Sequence, residues 1–242
     1  MKKILITIFL LASLAEANAQ FFRGIGIFVG VNDTRHRYRN LLAPTKDNNN
    51  PQFNAFYPQN HHSAEYYSYA TGIFLEFLRY DHIRWQTEIE YTQKGAVEQY
   101  VTNWVTGERN GGSAANVYQY IQWNNYLKFM QRTGRKGQTY IMVGPKLEYL
   151  MSFAAPVFPE VAGTFPKLWV SGDLGAGWEW FATKKWHPFI EFHWNPDIGY
   201  QPPRANTIIR SRTFELRIGI IFRPLPKSID DCNAPKYHGN YY

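Results

Sequence analysis

The segment T-F-E-L-R-I-G-I-I-F, residues 213–222, determines the fold class because its side chains alternate with a period of two. The apolar positions are Phe214, Leu216, Ile218, Ile220 and Phe222. Glu215 and Arg217 lie on the opposite face of the same strand. In a soluble barrel the apolar row would fill the core, whereas in a membrane-spanning barrel it would face lipid and the charges would face the lumen. Other parts of the chain must distinguish these two orientations.

Residues 1–19 have the three parts of a secretory signal peptide. Lys2 and Lys3 precede an apolar run at residues 4–15, and an A-x-A cleavage motif follows at residues 17–19. The run is too short to span a membrane as a helix, and no later stretch offers the roughly 20 consecutive apolar residues that a spanning helix requires. We therefore expect export, after which the chain either stays soluble or spans a membrane as strands.

The overall charge and the cysteine count narrow the function classes. The formal net charge is +7, and Cys232 is the only cysteine in the sequence. A basic chain is compatible with nucleic-acid binding, but export makes that partner unsuitable, and lipid of the outer membrane is the partner we expect. A single cysteine forms no internal disulfide, which is ordinary for an outer-membrane barrel.

Alternation, aromatic content and turn residues together predict about eight strands. They cover residues 24–32, 66–80, 83–98, 118–132, 138–153, 168–181, 186–200 and 212–222. The connections after the second, fourth and sixth strands are short, and the other four are long. This alternation is typical of a transmembrane antiparallel up-and-down β-barrel with brief periplasmic turns and longer outer loops. We therefore predict an all-β barrel over residues 20–222 in the outer membrane, with both termini in the periplasm.

The charged faces of these strands predict a filled interior. The polar network is predicted to contain Arg84, Glu88, Glu90, Lys146, Glu148, Glu191, His193, Glu215 and Arg217, and Glu76, Lys128, Asp173 and Glu179 take similar places. Both signs of charge are present, so the side chains can pair and become tolerable when buried. An eight-strand barrel is just wide enough to be filled by side chains. We therefore expect no open pore, and we expect the apolar row of residues 213–222 to face lipid.

Aromatic residues are predicted to form two bands, one at each membrane interface. The band near the short connections contains Tyr80, Trp85, Tyr140, Trp178, Trp180 and Trp186, and the band near the long connections contains Tyr67, Tyr69, Tyr100, Trp104, Tyr118, Tyr120 and Tyr200. The alternative interpretation is aromatic packing in a core.

Three motifs resemble a known family. They are Y-T-Q-K-G-A at residues 91–96, Y-I-M-V-G-P at residues 140–145 and D-L-G-A-G-W-E at residues 173–179. Together they resemble the PorT-like outer-membrane β-barrel family of Bacteroidetes over residues 24–222. The resemblance implies a barrel fold and an accessory membrane role in type IX-like protein secretion. It also implies contacts with secretion-machinery proteins through the loops or the C-terminal tail.

A basic run at residues 34–39 is predicted to lie in the first outer loop. Its Arg35, Arg37 and Arg39 are candidate contacts for a lipid phosphate or a partner, since guanidinium groups bind phosphate through two parallel hydrogen bonds. The alternative interpretation is a solvated loop. The H-x-S spacing at residues 61–63 and the polar row around His193 lack further catalytic partners in register. We therefore expect no enzyme activity, no cofactor and no metal.

Residues 223–242 lack periodicity and are predicted to form a flexible periplasmic tail. Three functions are compatible with these observations. The first is an accessory component of protein secretion, and the second is a surface barrel whose outer loops bind lipid, a ligand or another surface molecule. The third is a soluble lipocalin-like carrier, in which the apolar rows would line an internal cavity.

Overall fold

One antiparallel sheet contains every strand of the computed structural model, which describes residues 22–40, 60–78, 80, 82–99, 111–134, 136–156, 167–196 and 207–224. The strands are β1 (Phe22–Asn40), β2 (Asn60–His62), β3 (Tyr66–Phe77), β4 (Ile83–Gln99), β5 (Ser113–Arg132), β6 (Gly137–Ala154), β7 (Leu168–Trp180), β8 (Trp186–Asn195) and β9 (Thr207–Phe222). Among the described residues, no helix is long and apolar enough to cross a membrane.

The sheet closes into a ring because β1 pairs with the last strand as well as with β3. The β1–β9 seam runs in unbroken register from Ile25↔Phe222 to Asn40↔Thr207. The short β2 pairs with β1 beyond the point where β3 stops, so it extends the same edge of β1. The ring therefore has eight strand positions, and the prediction of an eight-strand antiparallel barrel is confirmed.

The lengths of the connections follow the predicted alternation. The short ones occupy residues 78–82, 133–136 and 181–185, whereas strands that meet at the other end are separated by residues 41–59, 100–112, 155–167 and 196–206. At the β5–β6 turn, Gly134 adopts a φ of 76°, a conformation that side chains with a Cβ rarely adopt. We call the two ends of the barrel the short-connection end and the long-connection end.

Three strands extend further than predicted, and the extension of β1 corrects one assignment. β5 begins at Ser113 instead of residue 118. β1 continues to Asn40 instead of ending at residue 32, and β9 begins at Thr207 instead of residue 212. The run that contains Arg35, Arg37 and Arg39 is therefore strand, and its prediction as an outer loop was wrong. This part of β1 is a strand although its residues are polar, because β9 pairs with it along its whole length. The predicted extension of β8 over residues 197–200 lies outside the described residues.

The two faces of the wall differ sharply in polarity. Ile218 is 57% exposed and Leu216 is 45% exposed, whereas Arg217 between them is fully buried. Outward apolar residues on other strands include Ile27, Val29, Ile73, Ile89, Trp123, Ile141, Val170 and Phe192. The apolar rows therefore form the outer wall, and the charges point inward. A carrier with apolar rows around an internal cavity would have the opposite arrangement, so that alternative was wrong.

The predicted aromatic bands are present only in part. Tyr67, Tyr69, Tyr80, Trp180 and Trp186 are exposed on the outer surface. The remaining members fall into other groups: Trp85 and Trp178 are half-buried, Tyr118, Tyr120 and Tyr140 are buried, and Tyr100, Trp104 and Tyr200 lie outside the described residues. The three buried tyrosines were wrongly assigned, since a tyrosine hydroxyl also suits a polar interior.

The predicted signal peptide at residues 1–19 and residues 225–242 of the predicted tail lie outside the described residues. Arg223 was predicted to begin that tail, but it lies inside the barrel and is 8% exposed. Its position continues the inward row of Arg217 and Ile221 by one further step of two residues. The ordered barrel therefore extends past Phe222.

We expect Ile218→Lys to impair insertion of the refolded protein into lipid vesicles, because it places a charge in the middle of the outward apolar row. A lysine at the mid-plane of a membrane barrel costs about 2–4 kcal/mol, whereas near an interface the cost is about 0–1 kcal/mol. Tyr80→Lys, just beyond the end of β3, is the matched control. Folded yield in vesicles, measured by the band shift on unheated gels, should fall for Ile218→Lys only. Equal yields would contradict the proposed orientation of the wall.

Candidate functional site

Charged side chains fill the interior of the barrel. Within the described residues, nine carboxylates and six lysine or arginine side chains are buried. Successive side chains of a strand point to opposite faces, so the alternation that places apolar side chains on the outer wall also places polar side chains in the interior. All nine residues of the predicted polar network lie in this interior. We call the buried set the ionic core and describe it from the short-connection end.

At the short-connection end, two arginines share two carboxylates. Arg223 donates from Nη2 to Glu76 Oε2 at 2.7 Å and to Glu179 Oε2 at 2.8 Å, and it also bonds Glu179 through Nη1. Arg84 Nη1 lies 3.7 Å from Glu76 and 3.5 Å from Glu179. Gln138 donates a further hydrogen bond to Glu179 at 2.8 Å. Arg223 thus joins β3 to β7 across the ring and closes this end of the core.

Above this cluster, Lys128 links three polar groups of different strands. Its Nζ donates to Gln86 at 2.8 Å, lies 3.3 Å from Glu191 and 3.4 Å from Glu76, and sits 4.0 Å from the centroid of the Tyr140 ring. The Tyr140 hydroxyl donates to Glu191 Oε1 at 2.7 Å. The ammonium group is therefore surrounded by acceptors and a π face, which stabilises a buried cation.

Arg217 occupies the centre of the ionic core. It donates to Glu88 at 2.8 Å, to Glu90 at 2.7 Å and to Glu215 at 2.6 Å. Its guanidinium carbon lies 4.3 Å from the centroid of the Phe28 ring. Three carboxylates thus converge on a single guanidinium group, so the arginine holds β4 and β9 together from inside the ring.

His193 lies between two carboxylates on the other side of the centre. Nδ1 is 2.7 Å from Asp173 Oδ2, and Nε2 is 3.2 Å from Glu191 Oε2. Both contacts are hydrogen bonds only when both ring nitrogens carry protons, because a carboxylate cannot donate. Tyr126 donates to the same oxygen of Asp173 at 2.6 Å, and Lys146 Nζ lies 3.4 Å from it. His193 is thus a member of the ionic core. Each of its ring nitrogens contacts a carboxylate and not the hydroxyl group of a nucleophile.

Toward the long-connection end, Lys94 forms a two-oxygen ion pair with Glu148, with both distances 2.8 Å. Ser171 and Asn195 also donate to Glu148, at 2.7 Å and 3.4 Å. Beyond this pair, Ser63 Oγ accepts from the backbone N–H of His36 at 2.8 Å. The serine of the H-x-S spacing is therefore bonded to backbone, and the side chains of residues 61 and 62 lie outside the described residues.

One gap in the described interior lies toward the long-connection end. It is lined by polar side chains that include Glu90, Gln122 and Asp173, and it leaves no room for the centre of a water-sized molecule. Pockets that bind small molecules usually measure about 300–1,000 Å³ and are mostly apolar. The gap therefore differs from a small-molecule site in both size and polarity. Among the described residues, no cluster of His, Cys, Asp or Glu could hold a metal ion.

The predicted phosphate contacts lie elsewhere, on the outer wall at the long-connection end. Arg35 and Arg37 are exposed on β1, on the same face as Val31. Arg35 forms an ion pair with Glu65, and the Tyr67 hydroxyl donates to Glu65 at 2.6 Å. The Tyr67 hydrogen bond and the Arg35 guanidinium lower the pKa of Glu65, so this carboxyl is charged at neutral pH. Arg39 is in the strand, but its side chain lies outside the described residues.

Several residues of the ionic core were not in the predicted network. Tyr126, Tyr140 and Arg223 all contact its members. Arg223 has the same strand parity as the predicted residues of the last strand, so continuing the alternation beyond Phe222 would have found it. Tyr126 and Tyr140 share that parity as well, but Tyr140 was assigned to a membrane-interface band, and Tyr126 was assigned neither to a band nor to the network.

No protein-family profile and no curated protein matches the sequence. Solved structures do resemble the barrel. OprG from Pseudomonas aeruginosa is similar with a TM-score of 0.50 at 9% identity, and the match covers 85% of this chain and 98% of OprG. The Neisserial surface protein NspA gives 0.42 at 11% identity, covering 82% and 97%. The outer membrane protease OmpT from Escherichia coli gives 0.35 at 10% identity, covering 83% and 97%.

At these identities the resemblance shows the fold alone. The chain has the eight-strand architecture of small outer-membrane barrels, which is the architecture that the sequence predicted. The resemblance to the PorT-like family stays a prediction, because none of the similar structures bears on it.

We expect Arg217→Met to destabilise the barrel by about 3–5 kcal/mol, because it leaves three buried carboxylates without their central cation. Unfolding in urea, followed by tryptophan fluorescence of the protein refolded in detergent, would measure the change. Arg35→Met is the matched control, since Arg35 is half exposed and its ion pair lies at the surface. Similar losses for the two variants would contradict the central role of Arg217.

We expect Arg223→Gln to lower the temperature at which the folded band disappears on a gel, because Glu76 and Glu179 lose their strongest cation. A chain that ends after Pro224 should melt at the temperature of the full-length protein. This truncated chain separates the contribution of Arg223 from that of residues 225–242. If the truncation destabilised the barrel as much as Arg223→Gln, the end of the ordered barrel would have to be placed later.

Proposed function

We propose that this chain is a non-enzymatic outer-membrane β-barrel that conducts no solute and acts through its surface at the long-connection end. The ionic core carries this proposal. Buried ion pairs from Arg223 to Lys94 cross the interior at successive heights, so side chains fill the ring where a porin has water. The remaining surfaces available for binding lie outside the ring.

The polarity of the two faces supports a membrane location. Hydrocarbon accommodates the outward apolar rows, and a closed ring leaves no unpaired strand edge in lipid. In water the same wall would expose a continuous apolar belt, which monomeric soluble proteins avoid. The signal peptide predicted at residues 1–19 supports export to an outer membrane.

An accessory role in protein secretion is the second candidate, and the Y-T-Q-K-G-A motif is the observation that favours it. In the structure the residues of this motif make contacts within the barrel. Lys94 pairs with Glu148, Thr92 accepts a hydrogen bond from Asn32 at 2.7 Å, and Ala96 is fully buried. Its residues thus account for the fold without a partner, so a secretion role would depend on the connections or on residues 225–242.

We expect the purified protein to give no steady single-channel conductance in planar lipid bilayers, because the ionic core blocks the lumen. A sixteen-strand porin in the same bilayer is the positive control. Stable ohmic steps from the folded, heat-modifiable protein would overturn the proposal of a non-conducting barrel.

The two candidate roles can be separated in cells. One strain carries a chain that ends after Pro224, and a second carries a flexible linker of equal length in place of residues 41–59. If either change stops the export of other proteins while the barrel stays in the outer membrane, the secretion role is favoured. If export is intact and surface binding is lost, the surface role is favoured.

A further inference from the structure

Four arginines face one another on the outer wall of the β1–β9 seam. In the register of the two strands, Arg35 lies opposite Arg212 and Arg37 lies opposite Arg210. All four are exposed, and all four alternate outward with Val31 and Leu216. Side chains directly opposite each other on one face of a sheet lie about 5 Å apart at Cβ, and like charges there repel. We call these four arginines the basic wall patch.

Carboxylates neutralise part of the positive charge of this patch, at Arg35. Arg35 pairs with Glu65 and lies 3.9 Å from Asp33. Among the residues that the structure describes, no carboxylate pairs with Arg37, Arg210 or Arg212. The patch therefore carries an excess of positive charge at the Arg37–Arg210 pair. An anion bound between these two guanidinium groups would relieve their repulsion.

The patch lies where the apolar part of the wall ends. On β9, the outward positions from Phe222 to Phe214 are apolar, and the next two are Arg212 and Arg210. The apolar positions span about 27 Å along the strand at about 3.4 Å per residue. At a strand tilt of about 35–45° this is about 20 Å of height, and the apolar band of a membrane barrel is about 25 Å tall. The Arg212 guanidinium lies over the Phe214 ring at 4.8 Å, directly at the border. This position corresponds to the level of the lipid headgroups.

We propose that the basic wall patch binds the phosphate group of a lipid headgroup at the long-connection end. Two facing guanidinium groups can each offer two parallel N–H donors to phosphate oxygens. The lipid tails would lie along the apolar row below, beside Leu216 and Val31. This binding site rests on the proposed insertion of the barrel in a membrane, because a soluble barrel would have no lipid at this height.

The test compares lipid retention by variants of the full-length protein refolded in neutral detergent. The probe is short-chain phosphatidic acid, whose headgroup is a bare phosphate, and retained lipid is counted by native mass spectrometry. The test variant is Arg37→Gln with Arg210→Gln, and the control is Lys184→Gln with Lys185→Gln. The control removes the same charge from the β7–β8 connection at the opposite end. We expect the test variant to bind about tenfold more weakly, which corresponds to the loss of about one charged hydrogen bond, and the control to bind like the wild type.

Two further variants test the chemistry of the site. Arg37→Lys with Arg210→Lys keeps the charge but removes the fork, so we expect intermediate retention. Glu65→Gln releases Arg35 from its ion pair, so we expect tighter retention. Equal weakening by the test and control variants would show a general charge effect and overturn the site, as would the absence of retention by the wild type. Inorganic phosphate that binds as tightly as phosphatidic acid would show a site for a soluble anion and overturn the lipid assignment.

Insertion of the protein into lipid vesicles is measured separately, so that the lipid site can be refuted without refuting the membrane barrel. Each variant is first checked for the heat-dependent band shift and for sedimentation with vesicles of phosphatidylcholine. A wild-type protein that never enters vesicles would refute the membrane barrel itself. A wild-type protein that inserts but retains no phosphatidic acid would refute only the lipid site.

Discussion

The pairing of buried charges is the constraint on which the rest of the structure depends. Strand alternation sends every second side chain into the lumen, and an apolar outer wall leaves the charged residues no other direction. Arg217 shows the consequence, since it is fully buried and binds Glu88, Glu90 and Glu215 at once. A buried charge is tolerated only when it is paired and hydrogen-bonded. The filled lumen therefore follows from the outer wall, and the proposal that the barrel conducts no solute rests on the filled lumen.

Space for this packing comes from small residues on β1. Gly30 faces the seam where a Cβ would lie 3.0 Å from Glu215 Oε1 and 3.1 Å from the Arg217 side chain, and at Gly26 a Cβ would overlap the Phe74 ring. The absence of side chains at these inward positions leaves room for the large groups of the neighbouring strands. Thus the glycines of β1 leave room for the Phe74 ring and for Arg217 near the end of the described chain.

The sequence predicted the direction of side chains well and their partners poorly. Alternation alone placed Arg217 and Glu215 inside, because parity within one strand is a local property. The pairing of Arg217 with Glu88 joins residues 129 positions apart, and it depends on the stagger of β1 and β3 between them, which no local pattern reports. The basic run around Arg37 was assigned to a loop for the same reason. Its strand conformation requires β9 as a partner, and that partner is distant in sequence.

The β1–β9 seam carries two sets of arginines with opposite environments. Inside the ring, Arg217 meets three carboxylates, so its charge is satisfied by the protein and serves stability. Outside, Arg37 and Arg210 face each other across the same two strands, and no carboxylate of the described residues pairs with either one. The two sets of arginines differ in the face of the strand on which they lie and in their height along the barrel. These two properties determine whether the charge of an arginine is neutralised within the fold or is available to a ligand. The fold itself does not require the outward charges of Arg37 and Arg210. Their position beside the apolar wall is therefore the place where binding of a ligand is best tested.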